Sequence, residues 1–151
     1  MFKIFLAAGL FALTGCRTVA PFPPADVTAP GWTLRQGQAV WATGRGEISG
    51  EVLLATRSHD RWLLQFSKPP FTILTAQIAD NSWQIEFPPE GKRYSGRGTP
   101  PKRLPWVRLP GLLAGEPPPR GWTWETNGGN WRLANPRRGT AIEGYFEPTN
   151  P

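Results

Sequence analysis

Cysteine is almost missing from this chain. Cys16 is the only one in 151 residues, so no intrachain disulfide can form and stability must come from packing. Histidine is equally scarce: His59 stands alone beside Asp60 in the polar stretch RSHDR and reads as a turn residue. One cysteine and one histidine leave no donor set for a metal centre and no base for a Ser-His-Asp engine. Glu47 with Glu51, or Glu86 with Glu90, could be proposed as a glycosidase pair, but their spacing is also that of a solvated strand edge. Phosphate-binding loops and dinucleotide fingerprints do not occur. Neither an enzyme nor a cofactor or metal is expected. Long apolar runs are lacking too, since residues 4–13 are well short of the about 20 that a membrane-spanning helix needs. Acidic residues are in deficit, 11 against 17 Lys and Arg, for a net charge of +6.

Proline, glycine and tryptophan are plentiful. With 18 Pro, 17 Gly and 8 Trp and only 19% charged residues, the composition opposes long helices and favours short strands joined by turns. The length suits one domain with a real core. Setting aside Lys3 leaves 16 basic against 11 acidic residues, or +5, arranged partly in pairs: Lys92 with Arg93, Lys102 with Arg103, Arg137 with Arg138. Such pairs fit ordinary solvated turns, and they also fit a surface for anionic partners such as phospholipid headgroups.

Residues 1–15 hold one charge, Lys3, then an apolar run and small residues, the build of an export leader. With such a leader, nucleic acid is not an expected partner. The leader's end, Leu13-Thr14-Gly15-Cys16, resembles the bacterial lipoprotein box. That resemblance implies that Cys16 becomes the mature N-terminus, joined to diacylglycerol and acylated on its amine, and so anchors the protein to a membrane. Residues 16–30 then read as the lipidated cysteine and a Pro-rich extended tether. The folded domain is expected over residues 31–151.

From there apolar residues alternate in short runs: Ala39/Trp41, Ile48/Val52/Leu54, Trp62/Leu64/Phe66, Ile73/Leu74, and Trp83/Ile85/Phe87. A period of two is the signature of a sheet with one buried face. Polar turns at residues 43–46, 57–61, 79–82 and 88–92 separate the runs, which predicts an antiparallel meander. The pattern resumes with Trp122/Trp124, the hairpin turn Asn127-Gly128-Gly129-Asn130, Trp131/Leu133 and Ile142/Tyr145/Phe146.

Residues 99–119 differ. Pro105 suits a first helical turn, and Trp106, Leu109, Leu112 and Leu113 fall at helical spacing, while Pro110 opposes a long regular helix. A short, broken helical segment ending at Gly115 is expected, stopped by Pro117–Pro119. Lying on a sheet, it is either plain core or a lid over an apolar cavity.

Four features in order resemble LolB, the outer-membrane receptor of lipoprotein sorting, within the group that shares its fold with the periplasmic carrier LolA. They are the strand-turn-strand RWLLQFSKPPFTILTAQ, the turn Gly91-Lys92-Arg93-Tyr94, the segment from Leu104-Pro105 through Leu109 to Leu112-Leu113-Ala114-Gly115-Glu116-Pro117, and the hairpin Asn127-Gly128-Gly129-Asn130-Trp131. The chain departs from the family in being shorter, in having fewer strands after Trp131, and in carrying Leu112 where the family's helix has a tryptophan. The resemblance implies an incomplete, open β-barrel with a short broken helical lid, a fold in which a small barrel can enclose a ligand. It also implies an acyl-chain cavity and receipt of lipoproteins from a LolA-like carrier for insertion in the outer membrane, facing the periplasm.

Wall and lid residues expected for the cavity are Trp41, Trp62, Leu64, Phe66, Leu74, Trp83, Ile85, Leu109, Leu112 and Leu113. The family places an exposed apolar residue after the proline of one strand turn and ties it to membrane insertion. The matching place here is Pro70 with Phe71, and Phe71 reads equally as that wedge or as a buried strand residue. A monomer acting without covalent chemistry is expected. The other reading is an envelope lipoprotein with a filled core, acting as a structural or interaction module.

Overall fold

The computed structural model describes Phe22, Pro23 and residues 25–148. Cys16 and the leader lie outside the described residues. Nine strands follow one another as β1 (Thr33–Thr43), β2 (Gly46–Ser58), β3 (Arg61–Lys68), β4 (Phe71–Ala79), β5 (Ser82–Phe87), β6 (Lys92–Arg97), β7 (Thr123–Asn127), β8 (Asn130–Asn135) and β9 (Thr140–Phe146). One helix, α1 (Pro105–Leu113), sits between β6 and β7. The protein is thus mainly β, a single antiparallel sheet ordered β6-β5-β4-β3-β2-β1-β9-β8-β7 that does not close, with one short helix. This fits the open, curved barrel expected above.

Two meanders, β1 to β6 and β7 to β9, are joined by pairing of β1 with β9, from Gly37 opposite Phe146 to Ala42 opposite Ala141. Residues 98–122 must therefore carry the chain from one free edge of the sheet to the other. They do so across its inner face, where α1 packs against β3, β4 and β5. Turn chemistry fixes the hairpins. Asp80 and Asn81 take positive φ, 50° and 61°, as do Gly128 and Gly129, 55° and 89°. Two-residue loops of this kind match the right-handed twist of the flanking strands, and Asn, Asp and Gly tolerate the left-handed region.

Helix α1 starts on Pro105, whose missing N–H is no loss in the first turn. It runs through Pro110 without interruption, because in nine residues that proline removes only the bond to the Trp106 carbonyl. It ends in a Schellman motif: Glu116 N–H donates to the Gly111 carbonyl (2.9 Å), Gly115 N–H donates to that of Leu112 (3.0 Å), and Gly115 has φ 97°.

Inward residues of the sheet alternate as predicted: Trp62, Leu64 and Phe66 on β3, Leu74 and Ala76 on β4, and Trp83 and Ile85 on β5 are all buried. Trp106, Leu109 and Leu112 of α1 complete one cluster with them. Trp106 is its centre, stacked on Phe66 with ring centroids 4.7 Å apart and edge-on to Trp41 (6.2 Å) and Trp131 (6.4 Å). These separations are those of favourable aromatic pairs.

Room for such large rings comes from small residues opposite them. Gly50, Ala39 and Gly144 are paired neighbours across β2, β1 and β9. A Cβ on Gly144 would meet the Gln38 carbonyl oxygen and come 2.8 Å from Trp131 Cζ2. Gly144→Ala is therefore expected to cost about 1–3 kcal/mol by overpacking. A lower urea midpoint at unchanged slope would register it.

The described end of the Pro-rich segment touches the domain, since Phe22 N–H donates to Gln84 Oε1 (3.2 Å). Gln84 is buried and passes the chain of polar contacts to Glu86 (2.9 Å), which pairs with Arg93.

Candidate functional site

Alternation puts the predicted cavity residues on one face, and the structure brings them together there. Trp62, Leu64, Phe66, Leu74, Trp83, Ile85, Leu109 and Leu112 are buried in the shared cluster, while Trp41 and Leu113 are half-buried against it. Seven of the buried eight are closed in by α1 and neighbouring rings and border neither of the two principal clefts. Trp41 and Ile85 do border open space.

That space is a cleft of about 440 Å³ beside the N-terminus of α1, within the size range of small-molecule sites. Trp41 comes from β1, Ile85 and Phe87 from β5, Tyr94 from β6, and Leu104, Pro105 and Trp106 from the start of α1. Phe87 bridges two walls, with ring centroids 6.0 Å from Trp41 and 6.2 Å from Tyr94. The lining is mostly apolar and its rim carries Glu90, Lys92 and Arg103. Lys92 Nζ bonds Glu90 Oε2 at 2.6 Å, which holds the ammonium above its ordinary pKa, first through the hydrogen bond and then through the charge.

Phe87, Leu104, Tyr94 and Trp106 were not among the expected wall residues. Trp106 carries the signal, standing three residues before Leu109 on the helix's apolar stripe, and Phe87 continues the alternation of Trp83 and Ile85. The rim cations carry none, because nothing in the sequence ties Lys92 to Arg103.

Three indole N–H groups, those of Trp41, Trp106 and Trp131, are buried without an acceptor among the described residues. Trp106 touches both of the other rings at the centre of the fold. Buried donors nearly always have a partner, so three together are unusual.

A larger open cleft, about 970 Å³, lies elsewhere along β1, β2, β8 and β9. Gln38, Glu51, Lys68, Arg132 and Glu143 line it together with Val40, Pro69, Trp131 and Tyr145, and Arg132 pairs with Glu143 at 3.4 Å. Amides and charges favour water over hydrocarbon, so size alone does not make it a chain-binding site.

Phe71 is 68% exposed, far more than any other large apolar residue described. Pro69 and Pro70 form the loop between Lys68 and Phe71; Ser67 is the last β3 residue paired to β2, which itself runs on to Gly46. A bulge at Ile73, between the pairs Phe66–Leu74 and Ser67–Thr72, breaks the alternation that would otherwise orient β4.

His59 is exposed in the β2–β3 turn, and the neighbouring Asp60 carboxylate is held below its usual pKa chiefly by the Ser58 hydroxyl. Glu86 and Glu90 each pair with a cation. Among the described residues no three His, Cys, Asp or Glu gather as metal ligands, and no helix is long and apolar enough to cross a membrane. Comparison with protein-family models gives no match, and comparison with curated proteins gives none.

Proposed function

We propose that this protein is a lipid-anchored envelope lipoprotein of LolB-like design that takes an acyl chain into the cleft of Trp41, Ile85, Phe87, Leu104 and Trp106. The carrying observation is that cleft: an apolar hollow at the mouth of an open barrel, bordered by the start of α1. A chain leaving water for it gains about 25 cal/mol per Å² of apolar surface covered. No covalent step or cofactor is involved. The reading extends to receipt of lipoproteins from a LolA-like periplasmic carrier and their insertion in the outer membrane, with Cys16 as anchor and the Pro70-Phe71 tip meeting lipid.

A second reading has its own support. Trp106 stacked on Phe66 fills the middle of the fold, as suits an interaction module without cargo.

One titration separates them. The chain without residues 1–16 keeps every described residue and with them the whole core. A dansyl-labelled dodecanoyl chain should bind it saturably. Phe87→Glu, at a half-buried wall position, should weaken binding by about tenfold or more, since it sets a charge against the bound chain. Absence of saturable binding, or binding indifferent to Phe87→Glu in a folded variant, would overturn the acyl reading in favour of the filled module.

A further inference from the structure

The apolar lining of the cleft says that a chain fits; its rim says which head the chain carries. Lys92 on β6 and Arg103 just before α1 stand at the rim with Glu90 as the single acid. Glu90 is engaged by Lys92, while Arg103 is exposed and makes no ion pair among the described residues. Two cations against one carboxylate leave this mouth positive, and low-dielectric walls concentrate such a field. Inside the rim Trp41 and Trp106 form two of the apolar walls, and their indole nitrogens are buried rather than open to the cleft.

We propose that the cleft selects acyl amphiphiles with an anionic head, a carboxylate or a phosphate, whose charge rests on Lys92 and Arg103 at the rim while the chain lies along the apolar walls. The inference rests on the acyl reading and adds head-group selection to it. Chain burial supplies affinity, and the rim supplies discrimination among molecules with the same chain. Arginine suits either anion, because its planar fork matches carboxylate and phosphate oxygens alike.

Four probes of one chain length test this on the chain without residues 1–16, each below its micellar concentration: dodecanoate, dodecyl phosphate, dodecyl maltoside and dodecyltrimethylammonium. At least one anion should bind about tenfold more tightly than the uncharged and cationic probes, an advantage that falls as salt is raised. Which anion wins identifies carboxylate or phosphate as the head. Lys92→Gln with Arg103→Gln, both at exposed positions, should abolish the advantage, bringing anion affinity down to that of the maltoside. Equal binding of the four probes, or anion binding insensitive to the double substitution, would sink head-group selection and leave the acyl reading standing. Binding of none of them would sink both.

Discussion

Trp106→Ala is expected to be the most damaging single truncation in the domain, lowering stability by about 3–5 kcal/mol. Trp106 is 1% exposed and touches three other aromatic residues, Phe66, Trp41 and Trp131, drawn from three strands. It is also the side chain through which α1 holds the inner face of an unclosed sheet. Strands β6 and β7 are free edges, so no barrel seam compensates when that contact is lost. The loss should appear as a fall in urea midpoint. Trp106→Phe should keep much of the stacking and also remove an indole donor that has no acceptor among the described residues, so its cost should be clearly smaller. Equal loss for Ala and Phe would mean that ring packing is not what anchors the helix.

The same truncation bears on function. An apolar void left by a missing ring stays dry and accepts apolar guests of the right shape. If the filled centre is what limits the protein to a shallow cleft, Trp106→Ala should bind the dansyl-labelled dodecanoyl chain more tightly while unfolding more readily. Opposite movement of the two quantities is the signature to seek. Weaker binding together with lower stability would assign Trp106 to the binding wall rather than to a plug.

Local signals carry much of this fold. Asp80-Asn81 and Gly128-Gly129 announce their hairpins because few other residues take positive φ in succession. The alternation of Trp62, Leu64 and Phe66 reports an inward face correctly. That face is not a site, however. Period two separates inside from outside but says nothing of which inward residues the helix covers, and this depends on where residues 98–122 cross the sheet. Hence Leu64 and Leu74 lie deep in the core while Phe87 and Leu104 border the cleft. Pairing of β1 with β9 joins segments about a hundred residues apart and leaves no local trace. Phe71 was undecidable for a different reason. One extra residue at Ile73 flips the orientation of what precedes it, and a bulge of that kind is invisible in a pattern of apolar letters.

Phe71→Glu is the second large expected effect, and it acts on membrane contact rather than on the fold. With 68% exposure the phenyl ring contributes little to the core, and a glutamate there would face Lys68 across the β3–β4 ladder. Its effect on stability should stay within about 0.5 kcal/mol. In a bilayer interface the same ring is worth about 1.5–3 kcal/mol when fully buried, and Lys68 beside it adds attraction to anionic lipid. Partitioning of the chain without residues 1–16 onto vesicles containing anionic phospholipid should therefore fall by about tenfold to a hundredfold in Phe71→Glu. Phe71→Leu should retain most of it, because the tip needs apolar area rather than a ring. Leaving out residues 1–16 matters, since the acyl chains proposed for Cys16 would hold either variant on the membrane and hide the difference. Equal partitioning of Phe71→Glu and the unsubstituted chain, at equal stability, would exclude the Pro70-Phe71 tip from membrane contact and with it the insertion step of the proposed function.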